Sequence, residues 1–312
     1  MSDSLMIETK GMTKEFGKFV AVDGIDLRIE RGAVHGFIGP NGAGKTTTIK
    51  MLIGAIRCTR GSGYIMGQPV GSVAAKRLIG YSPEHPAFYR EMSALDYLVY
   101  MARVCGVAGD VERKAIDLLD WLELGKFTES KVGGFSAGMK QRLGLAQALI
   151  HDPELLILDE PTANLDPTGR MSILGKLRET SKERGVTIFI SSHILGELEH
   201  LVDSVTLINK GRVVAEDSMQ NLKEAYSKDR YVLKTSDNGA VLDAIKARTR
   251  SLISDSWIDE GGFIHLVSQD GVSLKRQVVE VIRERGALLD HFSQEEVTLE
   301  TIYRRKMGLE AE

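Results

Sequence analysis

A chain of 312 residues has room for one large domain and a small one. Hydrophobic content of 43% and charged content of 27% are ordinary for a soluble globular protein, and a net charge of −3 supplies no overall basic footprint for nucleic acid. Cys58 and Cys105 make neither a CxxC nor a zinc spacing, which excludes a disulfide framework and leaves both expected as small core residues.

The opening "MSDSLMIETKGMTKEF" is polar and lacks the apolar stretch of a signal peptide. No run of about 18 apolar residues follows, so the chain is expected not to span a bilayer and to work in the cytosol. The first forty residues then alternate like strands, in "LMIETKG", "FVAVDGIDLRIERG" and "AVHGFIG", with Gly and Asp between the runs marking antiparallel turns. After Gly44 the pattern changes. Ile49, Leu52, Ile53 and Ile56 repeat at the spacing of one helix face.

From residue 92 to 150 the chain reads as mostly helical, and Met139, Leu143, Ala146 and Ile150 form the inward face of the last helix, stopped by "HDP". Next come the buried run "LLILDE", a helix around residues 171–184, the strand "VTIFISSH", and a hairpin in "SVTLINKGRVVAED". Alternating buried strands and helices predict an α/β core with a mostly parallel sheet. In such sheets ligands gather beyond the carboxyl ends of the strands. Three apolar runs end there in polar residues: a Gly-rich loop, Asp159-Glu160, and Ser192-His193. Beyond about residue 221 the order β-α-β-β-α-β predicts a small split-βαβ module, followed by the helix "TLETIYRRKMG". Domain limits of 1–220 and 221–312 follow, with a helical subdomain at about 90–150.

"GPNGAGKTT" fits G-x-x-x-x-G-K-[ST] between a strand and a helix, the context in which that spacing wraps phosphates. Its members are Gly39, Pro40, Asn41, Gly42, Ala43, Gly44, Lys45, Thr46 and Thr47. Glycines let backbone N–H groups approach an anion, and the helix start adds partial positive charge. Lys45 is expected on the β/γ-phosphates, and the Thr46 hydroxyl on Mg²⁺.

Asp159 closes a strand, where a carboxylate can hold Mg²⁺, and Glu160 follows it. Neighbouring strand side chains face opposite ways, and Pro161 is expected to keep Glu160 extended, so one carboxylate serves the metal and the other the attacking water. His193, at a strand end, is read as a phosphate contact, whereas His35, His151 and His200 are read as structural. "FSAGMKQ" is a second loop opening a helix, with Ser136 and Gly138 small enough to admit an anion but no cation inside the turn.

Taken in order, "GPNGAGKTT", "FSAGMKQ", "LLILDEP", "ANLD" and "SSH" resemble the ATP-binding subunit of an ABC transporter, over roughly residues 5–220. The "GMKQRLGLAQAL" helix and the added C-terminal module look most like the ABC-2 exporter group. The resemblance implies a P-loop NTPase core, an antiparallel β-subdomain, a helical signature subdomain and a small α+β C-terminal module. It implies ATP and Mg²⁺ as ligands, Phe16 stacking on adenine, Asp159 as the Walker B aspartate, Glu160 as catalytic base, Asn164 and Asp166 in the D-loop, and His193 as the switch histidine.

The same likeness implies that two subunits, identical or not, pair head-to-tail, each signature loop covering the γ-phosphate held by the other. Two positions depart from the family pattern there: Ala137 stands for a glycine and Met139 for a glutamine. Glu84 stands where the family has a Gln that can meet Mg²⁺. The segment around 84–103, with Phe88, Tyr89, Tyr97 and Tyr100, corresponds to the face that receives a separate multi-span permease. Attachment to the inner face of the cell membrane would follow. The competing readings are a soluble ABC-type ATPase on nucleic acid or ribosomes, and a low-turnover ATP switch. One Walker A, no long heptad insertion and the presence of Glu160 favour the transporter, with no nucleic acid as partner.

Overall fold

Runs of alternating burial at the start of the chain fold into strands, because one face of each must leave water. These are β1 (Leu5–Phe16), β2 (Phe19–Ile25) and β3 (Arg28–Glu30), and both later strands pair with β1 in antiparallel fashion. The structure is a computed structural model and describes residues 4–163, 165–227, 229–249, 251–295 and 297–307. The chain divides into two compact units, Met1–Met219 and Gln220–Glu312.

In the first unit, β4 (Val34–Ile38) is buried at every position and leads through a loop into α1 (Lys45–Leu52). The chain then returns to the antiparallel sheet with β5 (Arg60–Ile65) and β6 (Gln68–Pro69), turns through α2 (Val73–Arg77), and enters the core sheet as β7 (Ile79–Ser82). Three helices follow: α3 (Ala94–Val104), α4 (Val111–Trp121) and α5 (Ala137–Leu149). Each starts at a side-chain cap, Ser93, Asp110 and Ser136 in turn, which satisfies one of the N–H groups a helix start leaves unpaired.

The core sheet is completed by β8 (Leu155–Asp159), α6 (Pro167–Arg184), β9 (Thr187–Ser192), α7 (Leu195–Leu198), β10 (Ser204–Asn209) and β11 (Arg212–Ser218). Its strand order is β11-β10-β4-β9-β8-β7, parallel except for the β10–β11 hairpin. β8 and β9 are buried throughout, as strands covered on both faces must be, which explains their unbroken apolar runs. Phe37 and Phe189 meet across β4 and β9 with ring centroids 5.2 Å apart. Burying a side chain of that size contributes roughly 1.5–3 kcal/mol.

His35, in the middle of β4, is buried between Ser204 Oγ (2.8 Å) and Thr206 Oγ1 (2.9 Å). Burial pushes its imidazole down from 6.5 to about 3, so it sits neutral in the sheet. The two cysteines are a correction. Cys105, the residue just past the end of α3, is exposed, whereas Cys58, in the loop between α1 and β5, is half-buried and packs against the edge of the core.

The second unit takes up α8 (Met219–Ser227) and continues with β12 (Arg230–Thr235), α9 (Asn238–Arg248), β13 (Asp255–Ile258), β14 (Ile264–Val267), α10 (Gly271–Arg285), β15 (Leu289–Gln294) and α11 (Leu299–Lys306). Its sheet runs β13-β14-β12-β15, all neighbours antiparallel, the split-βαβ order. Leu233, Ile264 and Leu266 on one sheet face pack with Val241, Ile245, Leu274 and Val278 from α9 and α10. The face in register with Trp257 and His265 carries those two rings stacked at 4.8 Å.

Candidate functional site

The carboxyl ends of β4, β8 and β9 lie side by side, and the loop after β4 turns back over them. Two of its glycines have no substitute. A Cβ on Gly39 would lie 2.2 Å from the Ile208 carbonyl oxygen, and Gly44 sits at φ 108°, where side chains are strained. Gly44 is also the N-cap of α1 and offers no side chain to the N–H groups of the first turn. That helix start therefore faces a cavity of about 290 Å³ with its donors free of any side-chain cap.

Pro40, Asn41, Gly42, Ala43, Gly44, Lys45, Thr46 and Thr47 line the cavity, joined by Glu84, Glu160 and His193 from other elements. Lys45 is buried, and its Nζ donates to the Gly39 carbonyl at 2.7 Å while pairing with Glu160 Oε1 at 3.1 Å. The other Glu160 oxygen, Oε2, lies 2.8 Å from His193 Nδ1. Glu160 is thus held between a cation and a ring that is 43% exposed at the cavity mouth.

Glu160 does not keep the extended backbone that Pro161 favours. Its φ is +50°, in the left-handed region. Such a conformation in a residue other than Gly costs of order 1–3 kcal/mol and persists only where the surroundings fix it. Here both ends of the residue are tied. Its N–H meets the Ser191 carbonyl at 3.2 Å and the Ser191 hydroxyl at 3.1 Å, and its carboxylate is held by Lys45 and His193.

Asp159 is buried beside the cavity, and its Oδ1 accepts a 2.6 Å bond from Ser191 Oγ. Nearby, burial and then the Asp159 charge push the Tyr81 phenol up to about 12. Glu84, Asp159 and Glu160 outnumber Lys45, so a phosphate ligand entering here gains from a cation brought with it. The donor types fit Mg²⁺: a Thr46 hydroxyl and carboxylate oxygens are hard ligands. Among the described residues no group of three or more His, Cys, Asp or Glu could hold a metal by itself.

Several residues singled out in the sequence lie elsewhere. Phe16 ends β1, half exposed under Lys14 Nζ at 5.1 Å, and does not line the cavity; Phe19, at the start of β2, does. Ser136 caps α5 by accepting the Met139 N–H at 3.2 Å, and neither it nor Gly138 lines the cavity of its own chain. Asp166 caps α6 through the Gly169 N–H at 2.6 Å, and Asn164 lies outside the described residues. In the 84–103 segment Tyr97 is buried, whereas Tyr89 and Tyr100 are exposed at 58% and 44% with rings 5.8 Å apart.

Sequence reasoning passed over Phe19 and Ser191. The signal for Phe19 was its place two residues past the turn at Gly17, directly opposite Phe16 in the hairpin. The signal for Ser191 was its place: it is the second-last residue of β9, two residues before His193. What could not be read is that Ser191 stands in register with Asp159.

A strand, a phosphate-type loop, a strand-end carboxylate pair and a histidine just past a third strand define a P-loop ATPase site. The family model described as "ABC transporter" matches residues 22–163. The bacitracin transport ATP-binding protein BcrA of Bacillus licheniformis is 38% identical over 98% of this chain and 98% of its own. The lantibiotic transport ATP-binding protein SrtF of Streptococcus pyogenes is 40% identical over 71% of this chain and 96% of its own. A solved ATP-binding cassette, described as a dimer in a post-hydrolysis state bound to ADP and Pi, shares the fold at 23% identity, with a TM-score of 0.64 over 69% of this chain and 99% of that one. The chain belongs to the ATP-binding subunits of ABC transporters, and it is an ATPase of that family.

Proposed function

We propose that this chain drives an exporter by closing head-to-tail on a second ATP-binding subunit, with a separate membrane permease coupled to the pair. One observation carries the reading: the signature-type loop at Ser136 is exposed and absent from the cavity of its own chain. A loop built to admit an anion, with no anion site of its own, fits a ligand held by another subunit. The two-fold arrangement is isologous, so a second copy of this chain can serve as partner. The dimeric cassette that shares this fold supports the same view.

In the pair, the α1 start and Lys45 hold the phosphates of ATP, Phe16 and Phe19 offer ring faces toward the base, and Ser136, Gly138 and Asp166 approach from the partner. Thr46, Asp159 and Glu84 would hold Mg²⁺, which would supply charge neutralisation. Glu160 accepts a proton from the attacking water, and His193 donates toward the γ-phosphate. A triphosphate competes with Glu160 for Lys45, so its arrival releases the Glu160 carboxylate for that task. Such a base contributes typically ~10²–10⁴-fold to rate.

The exposed pair Tyr89 and Tyr100 offers a docking face to the permease, in keeping with the enrichment of aromatics at interfaces. No described helix is long and apolar enough to cross a membrane, so attachment to the cytoplasmic face runs through that subunit. The names of two relatives, a bacitracin transport and a lantibiotic transport ATP-binding protein, support a cargo of that antibiotic type.

The test is dimer trapping. Glu160→Gln should bind ATP, lose at least about 100-fold in turnover, and accumulate as a dimer seen by sedimentation. Adding Ser136→Arg should abolish the dimer and leave ATP bound to monomers. Wild-type turnover in Glu160→Gln removes the base; loss of monomer binding in Ser136→Arg removes the role in the partner.

A further inference from the structure

Ser191 is completely buried on β9, paired with Asp159 across the β8–β9 ladder. Its single hydroxyl is used in both directions. It donates to Asp159 Oδ1 at 2.6 Å and accepts the Glu160 N–H at 3.1 Å. A serine hydroxyl has one proton to give and lone pairs to receive, so both capacities are committed to neighbouring residues with different tasks.

We propose that Ser191 is a positioning residue that locks the metal-facing carboxylate and the catalytic base into one fixed relation. The inference rests on the roles given above to Asp159 and Glu160. The proton from Ser191 fixes which Asp159 oxygen is occupied, leaving Oδ2 free of that bond. The lone pair shares the Glu160 N–H with the Ser191 carbonyl, and together they hold the Glu160 backbone at its φ of +50°, which no local preference of Glu followed by Pro would maintain. Bonds that share one atom in a dry site polarise one another, so a turn of the Asp159 carboxylate is felt at the Glu160 backbone through a single oxygen. The next hydroxyl along, on Ser192, takes no part: it accepts the Ile194 N–H at 2.9 Å.

Outer partners that orient a metal-binding carboxylate typically matter by about 10- to 100-fold in affinity or activity. Ser191→Ala and Ser191→Cys in the full chain should therefore lose about 10- to 100-fold in kcat, with the KM for ATP within about threefold. The Mg²⁺ concentration for half-maximal binding of a fluorescent ATP analogue should rise by about tenfold or more. Ser191→Thr keeps the hydroxyl and should recover both quantities to within about threefold of the parent chain. In the Glu160→Gln background, Ser191→Ala should cost less than about twofold further in residual hydrolysis, yet keep its Mg²⁺ shift.

Turnover and Mg²⁺ dependence within about twofold of the parent in either Ala or Cys would overturn the proposal, as would losses that multiply fully with Glu160→Gln. Should one of the two variants fail to fold, the other reads the same quantities. Parent-like turnover in Glu160→Gln alone would instead overturn the assignment of the base, a different failure.

Discussion

Two helices in the first unit begin at loops of small residues, and the two loops are built to opposite specifications. The loop before α1 is enclosed, with Gly39 pressed against the Ile208 carbonyl, Gly44 at φ 108°, and Lys45 buried between Gly39 and Glu160. The loop before α5 is open. Ser136 and Ala137 are exposed, Ser136 caps its own helix, and a Cβ on Gly138 would meet nothing closer than Leu165 Cδ2 at 3.4 Å. Nature of ligand does not separate them, since either helix start attracts an anion. Ownership does: one loop must carry the whole charge of its ligand, and the other meets an anion already neutralised.

Lys45→Ala should break this contrast most deeply. It removes the one Lys or Arg among the described residues that line the cavity, and it strands Glu160 with one partner fewer in a buried position. Breaking a buried ion pair from one side typically costs about 3–5 kcal/mol, so the thermal transition should fall along with ATP affinity. Affinity should drop by at least about 100-fold in a fluorescence titration. Retained affinity would show that the backbone of the α1 start holds the phosphates unaided.

Gly39→Ala ranks next. Its methyl group would have to occupy the space of a backbone oxygen on β10, which cannot move without disturbing the ladder to β4. Overpacking of this kind costs typically about 1–3 kcal/mol, read as a lowered denaturant midpoint.

The enclosed loop is also the part most legible in the sequence, for a physical reason. Its chemistry is local: nine consecutive residues supply the turn, the cation and the hydroxyl, so spacing alone reveals them. The rest of the site is assembled from distant segments, and there reasoning along the chain weakened. Pro161 argued for an extended Glu160, but bonds from Ser191, Lys45 and His193 override that preference. Tyr97 is one of four aromatics in its segment, and only the packing of α3 on α5, with its hydroxyl donating to Gln147 Oε1 at 2.5 Å, shows that it faces inward. Likewise Cys105 looked like a core residue by type, although its position just past α3 leaves it in solvent. The parallel sheet was legible because β8 and β9 each carry an apolar stretch, 155–158 and 188–190, whereas the register that brings Ser191 to Asp159 has no signature along the chain.

Acid should act on the enclosed loop through the strand beneath it. His35 is held near 3 in the folded chain and titrates at its ordinary 6.5 when unfolded. Between those values the unfolded chain binds more protons, so this contribution is complete above pH 6.5 and is lost as pH falls below it. The slope is up to about 1.4 kcal/mol per pH unit. Urea midpoints measured from pH 7.5 to 5 should show the decline, and His35→Gln should flatten it at the expense of overall stability. An unchanged slope would mean that other groups govern the acid limb.

The smallest expected change in stability is the most informative about the open loop. Gly138 lies in the first turn of α5, has no positive φ, and a Cβ there would make only an ordinary contact with Leu165 Cδ2. Replacing a helical Gly by Ala removes backbone freedom from the unfolded chain and typically gains up to about 1 kcal/mol. Gly138→Ala should therefore leave the melting temperature equal or slightly higher, where Gly39→Ala lowers it. Its effect should fall on hydrolysis by the paired subunits, because a methyl group beside the N–H groups of α5 obstructs the partner's phosphate while leaving the ATP affinity of the monomer as it was. A drop in stability comparable to that of Gly39→Ala would place Gly138 inside the fold's own packing, and the distinction between an owned and a borrowed ligand would lose its structural basis.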